Sequence, residues 1–230
     1  MIYSIHQPNY MPWLGLFHKI YYSDIFVVID NAQVDRKTLN KNKIRTPNGW
    51  CWISVPLIKR GRLYQKIFEV KPNNELPWKE KTKKTIFHNY KRADYFDDHW
   101  PFFEDLFSKE WDVIKELNMH IIEHFLDVLD IKREIVYGTD LKVEGNKNEL
   151  LINICKKIGA SVYLSGTGAV DYNDPKILKD NGIELIYQDF IHPVYKQNFP
   201  GFEANMSIID LVFNHGPRSK EILLSTSDPS

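Results

Sequence analysis

The chain has 230 residues, and Lys plus Arg equals Asp plus Glu at 30 each, so its formal net charge is zero. That balance excludes a global field of the kind that draws proteins to nucleic acid or anionic lipid. Hydrophobic residues at 43 % and charged residues at 26 % exclude a disordered chain.

Residues 2–5 read as a short buried strand. Pro8 and Pro12 then interrupt regular structure, and Pro12 suits the first turn of a helix over 13–22. Ile25-Phe26-Val27-Val28-Ile29 is a continuous apolar run, the pattern of a strand covered on both faces, with Asp30 at its carboxyl end. This βαβ opening predicts a mostly parallel sheet. Segments 50–57 and 66–71 read as strands, paired as a hairpin. A basic helix is expected over 78–90 and a longer one over 111–129, where Ile114, Leu117, Ile121, Phe125 and Val128 form one stripe. Asn146 with Glu149 resembles a capping box for a helix through Lys157 that ends at Gly159. Val162-Tyr163-Leu164 predicts a strand, Asp174-Pro175 a helix start, Asn181-Gly182 its stop, and 183–187 another strand. Ser207 with Asp210 would cap a last helix ending near Gly216-Pro217. The expectation is one α/β domain over 1–224, with a mostly parallel sheet flanked by helices. Residues 75–135 make a more helical insertion or subdomain, and 225–230 a polar tail.

Cys51 and Cys155 form no spaced framework, which suits a reducing compartment. The first residues lack the basic and apolar stretches of a signal peptide, and no apolar run approaches the ~18 residues of a membrane span. A cytoplasmic location without a membrane span is expected.

The densest polar constellation is His6-Gln7-Pro8-Asn9-Tyr10, followed by Trp13. It stands where a first strand runs into a helix, and parallel sheets bind ligands at strand carboxyl ends. The helix N-terminus beyond it favours phosphate or carboxylate, and Lys19 would add a positive charge. His6, Asp30 and Lys19 are the candidate catalytic residues. Asp30 would orient the imidazole or accept a substrate hydroxyl, and Gln33 would stand beside it. The basic segment around Lys37 and Arg45 suits a phosphate as well as it suits a solvated loop. Ser165-Gly166-Thr167-Gly168 follows a strand, where small residues let backbone amides approach an anion, with Tyr172 nearby. Gln188, Tyr195 and Gln197 would hold a sugar or base at a third strand exit. His120-Ile121-Ile122-Glu123-His124 matches H-x-x-E-H, but Glu123 falls on the acidic outer face and no third ligand stands out, so no metal site is expected.

At these residues the chain resembles the WbqC-like family of bacterial surface-polysaccharide gene clusters. The resemblance rests on residues 6–15 with Lys19, on 163–169, on Tyr187-Gln188, on Tyr195-Lys196-Gln197 and on 207–214, and covers about residues 2–217. It departs over 37–45, where a segment richer in Trp, Gln and Arg is expected. The resemblance implies a role in O-antigen-type glycan synthesis, by glycyl or other acyl transfer to the amine of a nucleotide-linked amino sugar. The opening also looks like a remote relative of class I nucleotidyltransferases, a Rossmann-like (HUP-like) fold. An activated acyl or aminoacyl donor, or a nucleotide with Mg²⁺, would then be the co-reactant, with tRNA a conceivable carrier of the donor. Nucleotidyl transfer and a non-catalytic sugar-nucleotide module are the competing readings.

Overall fold

The computed structural model describes residues 1–34, 38–58 and 65–225, with the backbone alone at Thr167. Its strands are β1 (Ile2–His6), β2 (Ile25–Val28), β3 (Lys41–Thr46), β4 (Gly49–Ser54), β5 (Glu134–Tyr137), β6 (Val162–Ser165) and β7 (Glu184–Tyr187). The helices are α1 (Leu14–Tyr21), α2 (Trp78–Tyr90), α3 (Phe96–Ser108), α4 (Ile114–Val128), α5 (Gly138–Leu141), α6 (Asn148–Ile158), α7 (Pro175–Asp180), α8 (Ile208–His215) and α9 (Ser219–Leu223). Five strands form one sheet in the order β5-β2-β1-β6-β7, and every pairing in it is parallel. The fold is α/β with a Rossmann-like arrangement.

Both faces of this sheet are covered, which is why β2 is uniformly apolar. Phe26 and Val28 face a large apolar cluster with α1, α4 and α8, while Ile25 and Val27 face a smaller one with α6 and α7. Alternate residues of a strand point to opposite faces. Helices α2 and α3 add Tyr90, Phe103 and Phe107 to the larger cluster, joining the helical stretch between β4 and β5 to the sheet layer.

From β1 the chain passes outward to β2 and β5, then returns to place β6 and β7 on the other side of β1. The direction therefore reverses between β1 and β6. The gap outside the carboxyl ends of such a pair is where open α/β sheets hold ligands.

Several local expectations change. β4 pairs with β3, not with residues 66–71, and the turn between them carries Gly49 at φ 109. The 66–71 stretch holds one tight turn, Ile67–Glu69, bonded to the loop after β2 through Ile67 N to Ala32 O and Phe68 N to Asp30 O. Helix α4 begins at Ile114, three residues later than Trp111. Residues 96–108 form α3, which its internal Pro101 hid. The Asn146 capping box is absent: Lys147, at φ 49, precedes α6 without a side-chain cap. Asp174 caps α7 as expected, accepting from the Lys176 and Ile177 amides, and Gly159 ends α6 at φ 69.

The H-x-x-E-H segment holds no metal cluster among the described residues. His124 stacks on Phe102 with ring centres 3.5 Å apart, and His120 packs between Phe102 and Trp111. Burial lowers the pKa of both, that of His124 to about 4, so they pack as neutral aromatic rings.

Candidate active-site cleft

A cleft of about 380 Å³ opens at the β1–β6 reversal. Its walls are Ile5 and His6 from the end of β1, Trp13, Gly15, Leu16 and Lys19 from the entry and body of α1, Tyr163, Gly166, Gly168 and Ala169 from β6 and the turn after it, and Gln188 and Phe190 beyond β7. Three strand exits and one helix N-terminus thus meet at one space.

His6 is half-buried, and its Nδ1 lies 2.8 Å from the Gln7 carbonyl. Burial, and then the charge of Lys19, lower its pKa to about 3. The ring is therefore neutral at pH 7. A neutral imidazole facing a carbonyl must donate through that nitrogen, which leaves Nε2 as the basic atom. Lys19 is only 4 % exposed, and its Nζ donates to the Ile5 carbonyl at 3.1 Å. Burial lowers its pKa to about 8, with no carboxylate among the described residues opposing the shift. The Gly166 Cα faces that ammonium, a Cβ built there lying 4.0 Å from Lys19 Nζ, so the turn and the lysine border the same space. Among the described residues no side chain caps α1, whose first turn lines the cleft, so the positive end of the helix acts on the same space as Lys19.

The family profile described as the WbqC-like protein family matches residues 7–222. The chain belongs to the WbqC-like family. A relative, "Uncharacterized protein Rv1507c" of Mycobacterium tuberculosis (strain ATCC 25618 / H37Rv), is 30 % identical over 223 residues, 96 % of each chain.

In this WbqC-like chain the loop after His6 is held from many sides. Met11 sits at φ 44, a left-handed conformation costly for a side chain of its size, and is wholly buried. Asn42 Nδ2 donates to the Met11 carbonyl at 2.6 Å, and Asn118 Nδ2 donates to the carbonyls of Pro8 and Leu39 at 2.8 Å each. Tyr10 N donates to Leu39 O, and Ile208 N to Pro12 O. Gln7 Nε2 donates to Thr38 Oγ1, which donates to Asn9 Oδ1, so both amides brace the loop. Gln188 Nε2 lies 2.8 Å from the Gly15 carbonyl and 3.1 Å from His18 Nδ1, tying the β7 exit to α1. Gly15 is required by packing, since a Cβ there would come within 2.4 Å of the Trp13 ring. Sequence reasoning missed Asn118 as a brace. Its signal was a polar residue beside an apolar helix stripe.

The WbqC-like cleft takes in His6, Trp13, Lys19, Gly166 and Gln188. Ser165 is buried beneath it, accepting from Asn173 Nδ2 at 2.9 Å, and Thr167 begins the tight turn Thr167–Ala169. Other expected residues lie elsewhere. Tyr10 is wholly buried in the larger apolar cluster because the loop turns it inward. Gln33 is exposed, in a bridge to Lys66, and Tyr172 is 68 % exposed. Lys37 lies outside the described residues. Arg45, Tyr195 and Gln197 belong to a buried network with Tyr90 and Asp210 that ties β3 to α8. Arg45 Nε donates to Gln197 Oε1 at 3.1 Å, and its other nitrogens donate to the carbonyls of Thr46, Gly49 and Pro200. Asp210 caps no helix and accepts from Tyr90, Tyr195 and Gln197 instead; Ser207 caps α8.

Asp30 lies one strand away from His6 and turns from the cleft. Its carboxylate accepts from the Thr139 amide and hydroxyl at 2.9 Å each and from Lys115 Nζ at 3.0 Å. It joins β2 to α5 and α4. Asp30→Ala strands these donors and is expected to cost roughly 2–4 kcal/mol of unfolding free energy in urea, with cleft binding intact. Unchanged stability with lost binding would return Asp30 to the site.

Proposed function

We propose that this WbqC-like protein is a transferase that holds an anionic, nucleotide-linked amino sugar in the cleft and acylates its amine. One observation carries the reading: Lys19 is a buried ammonium that forms no ion pair with a carboxylate among the described residues, facing the cleft beside a neutral histidine. A buried cation is costly until an anion meets it, and a diphosphate-linked sugar supplies that anion. The uncapped first turn of α1 adds its dipole, and the glycines at 166 and 168 let the ligand approach the backbone.

The chemistry assigned to the cleft is simple. The sugar's neutral amine attacks the carbonyl carbon of an activated acyl or aminoacyl donor. A C–N bond forms, the donor's carrier departs with its bonding electrons, and the amine's proton passes to His6 Nε2. An anion against Lys19 also offsets the charge that holds the His6 pKa down, so the base strengthens when substrate binds. The sheet order and the anion-seeking cleft also suit nucleotidyl transfer, which would consume a nucleoside triphosphate and release diphosphate.

A thermal-shift titration tests the reading. UDP-linked amino sugars are expected to raise Tm, since a ligand at 100 times its Kd adds about 2.7 kcal/mol. Lys19→Met should weaken that binding at least about tenfold, the loss of one charge-assisted contact. Because the Lys19 pKa is lowered to about 8, affinity should hold at neutral pH and fall as pH rises beyond that value. Equal affinity in Lys19→Met overturns the anion assignment. Diphosphate release from a nucleoside triphosphate, without acyl transfer, selects the nucleotidyl reaction.

A further inference from the structure

A second cleft, of about 390 Å³, lies between β4 and the start of α2, with none of the first cleft's residues in its walls. Trp52 and Trp78 supply its aromatic surface, Ser54, Thr82 and Thr85 its hydroxyls, and Lys81 a cation. The β3–β4 register extends this chemistry outward. Lys43 stands opposite Trp52, and Arg45 opposite Trp50, on one face of the hairpin. Trp50 and Trp52 are 40 % and 47 % exposed, and they meet edge to face at 5.4 Å. Lys43 Nζ lies 3.9 Å from the Trp50 ring centre, and Lys41 Nζ 4.6 Å from that of Trp52. None of Lys41, Lys43 and Lys81 forms an ion pair with a described carboxylate, whereas Lys79 and Lys83 on α2 do.

Of the cleft's two tryptophans Trp78 is buried at 4 % exposed, while Trp52 is half-exposed, costly surface for a chain to keep without an occupant. A sugar ring is the occupant whose chemistry matches them. Its C–H face lies flat on an indole, and its hydroxyls meet Ser and Thr hydroxyls. Lys81 in the wall adds a preference for negative charge on that sugar, and Lys41 and Lys43, each over a tryptophan ring, add positive charge on the adjoining hairpin. Among the described residues no Asn, Gln, Asp or Glu lines the cleft, so a nucleobase would find no side-chain amide or carboxylate there to read its edge.

We propose that the cleft between Trp52 and Trp78 binds a sugar ring carrying an anionic substituent, a carboxylate or a phosphate, as a site separate from the His6 cleft. The proposal does not depend on the transferase reading. Its test is a titration of the full chain, labelled with ¹⁵N at tryptophan, with glucuronate, glucose 6-phosphate, glucose, inorganic phosphate and AMP. The indole N–H signals of Trp52 and Trp78 should move with glucuronate or glucose 6-phosphate, at least about tenfold more tightly than with glucose or phosphate alone, the weight of one charge-assisted contact. Whichever anionic sugar binds better identifies the substituent. Trp52→Ala and Lys81→Met, both at exposed side chains, should each weaken that binding about tenfold while UDP-sugar binding at Lys19 persists. Equal response to glucose and glucuronate, tighter binding of AMP, no movement of either indole, or unchanged affinity in both variants overturns it.

Discussion

His6→Asn is expected to leave the fold intact and to remove roughly 10²–10⁴ of the transfer rate. The side chain is half-buried at a strand end, and asparagine can still place an amide N–H near the Gln7 carbonyl, so the loop keeps its anchor. What is lost is Nε2. In the free protein burial and Lys19 hold the imidazole neutral, with a pKa of about 3, too weak a base to strip an amine. Binding of the anion removes the second of those causes. The C2 proton of His6, followed by NMR, should therefore titrate at higher pH with UDP-sugar bound than without it. Near-normal turnover in His6→Asn sinks the base assignment. A His6 titration that ignores the ligand separates the histidine from the anion site.

Asp210→Ala should be among the most destabilising single changes outside the apolar core, at roughly 3–5 kcal/mol. The carboxylate is wholly buried and accepts from Tyr90 Oη and Tyr195 Oη at 2.9 Å and from Gln197 Nε2 at 2.7 Å. Burial pushes its pKa up, while those donors and the Arg45 charge oppose the rise. Removing it leaves two phenol hydroxyls and an amide N–H without their acceptor in an apolar setting, and the buried Arg45 charge without the carboxylate that faces it. The network also fixes β3 against α8, since Tyr90 Oη accepts from the Arg45 backbone amide at 2.9 Å. Urea unfolding reads the loss directly. A change below about 1 kcal/mol, the level of an exposed pair, would contradict the account of this network.

The parallel sheet was legible because β2 is apolar at every position and because helix signals separate the strands. Gly159 and the Asp174-Pro175 pair marked helix ends by backbone chemistry that acts locally, and both stand where expected. The β3–β4 hairpin was not legible as such. Its outward face is Lys41, Lys43, Trp50 and Trp52, so charge masked the strand alternation, and the Asn48-Gly49 turn went unused. The candidate site divided in the same way. Residues at the exits of β1 and β6 reach one cleft because strand order decides their position. Asp30, Tyr195 and Gln197 have equally suggestive chemistry, but their direction depends on Thr139, Lys115 and Asp210. Those partners lie 13 to 109 residues away, beyond any local pattern.

The central claim is that an anionic sugar nucleotide binds where β1 and β6 diverge. Amide chemical-shift mapping with a UDP-linked amino sugar tests it most directly. The account predicts saturable shifts at Gly15, Leu16, Lys19, Gly166 and Gly168, reduced in Lys19→Met. Shifts confined to the Trp52–Trp78 cleft, or no shifts at millimolar ligand (a Kd weaker than about 4 kcal/mol of binding), would contradict it.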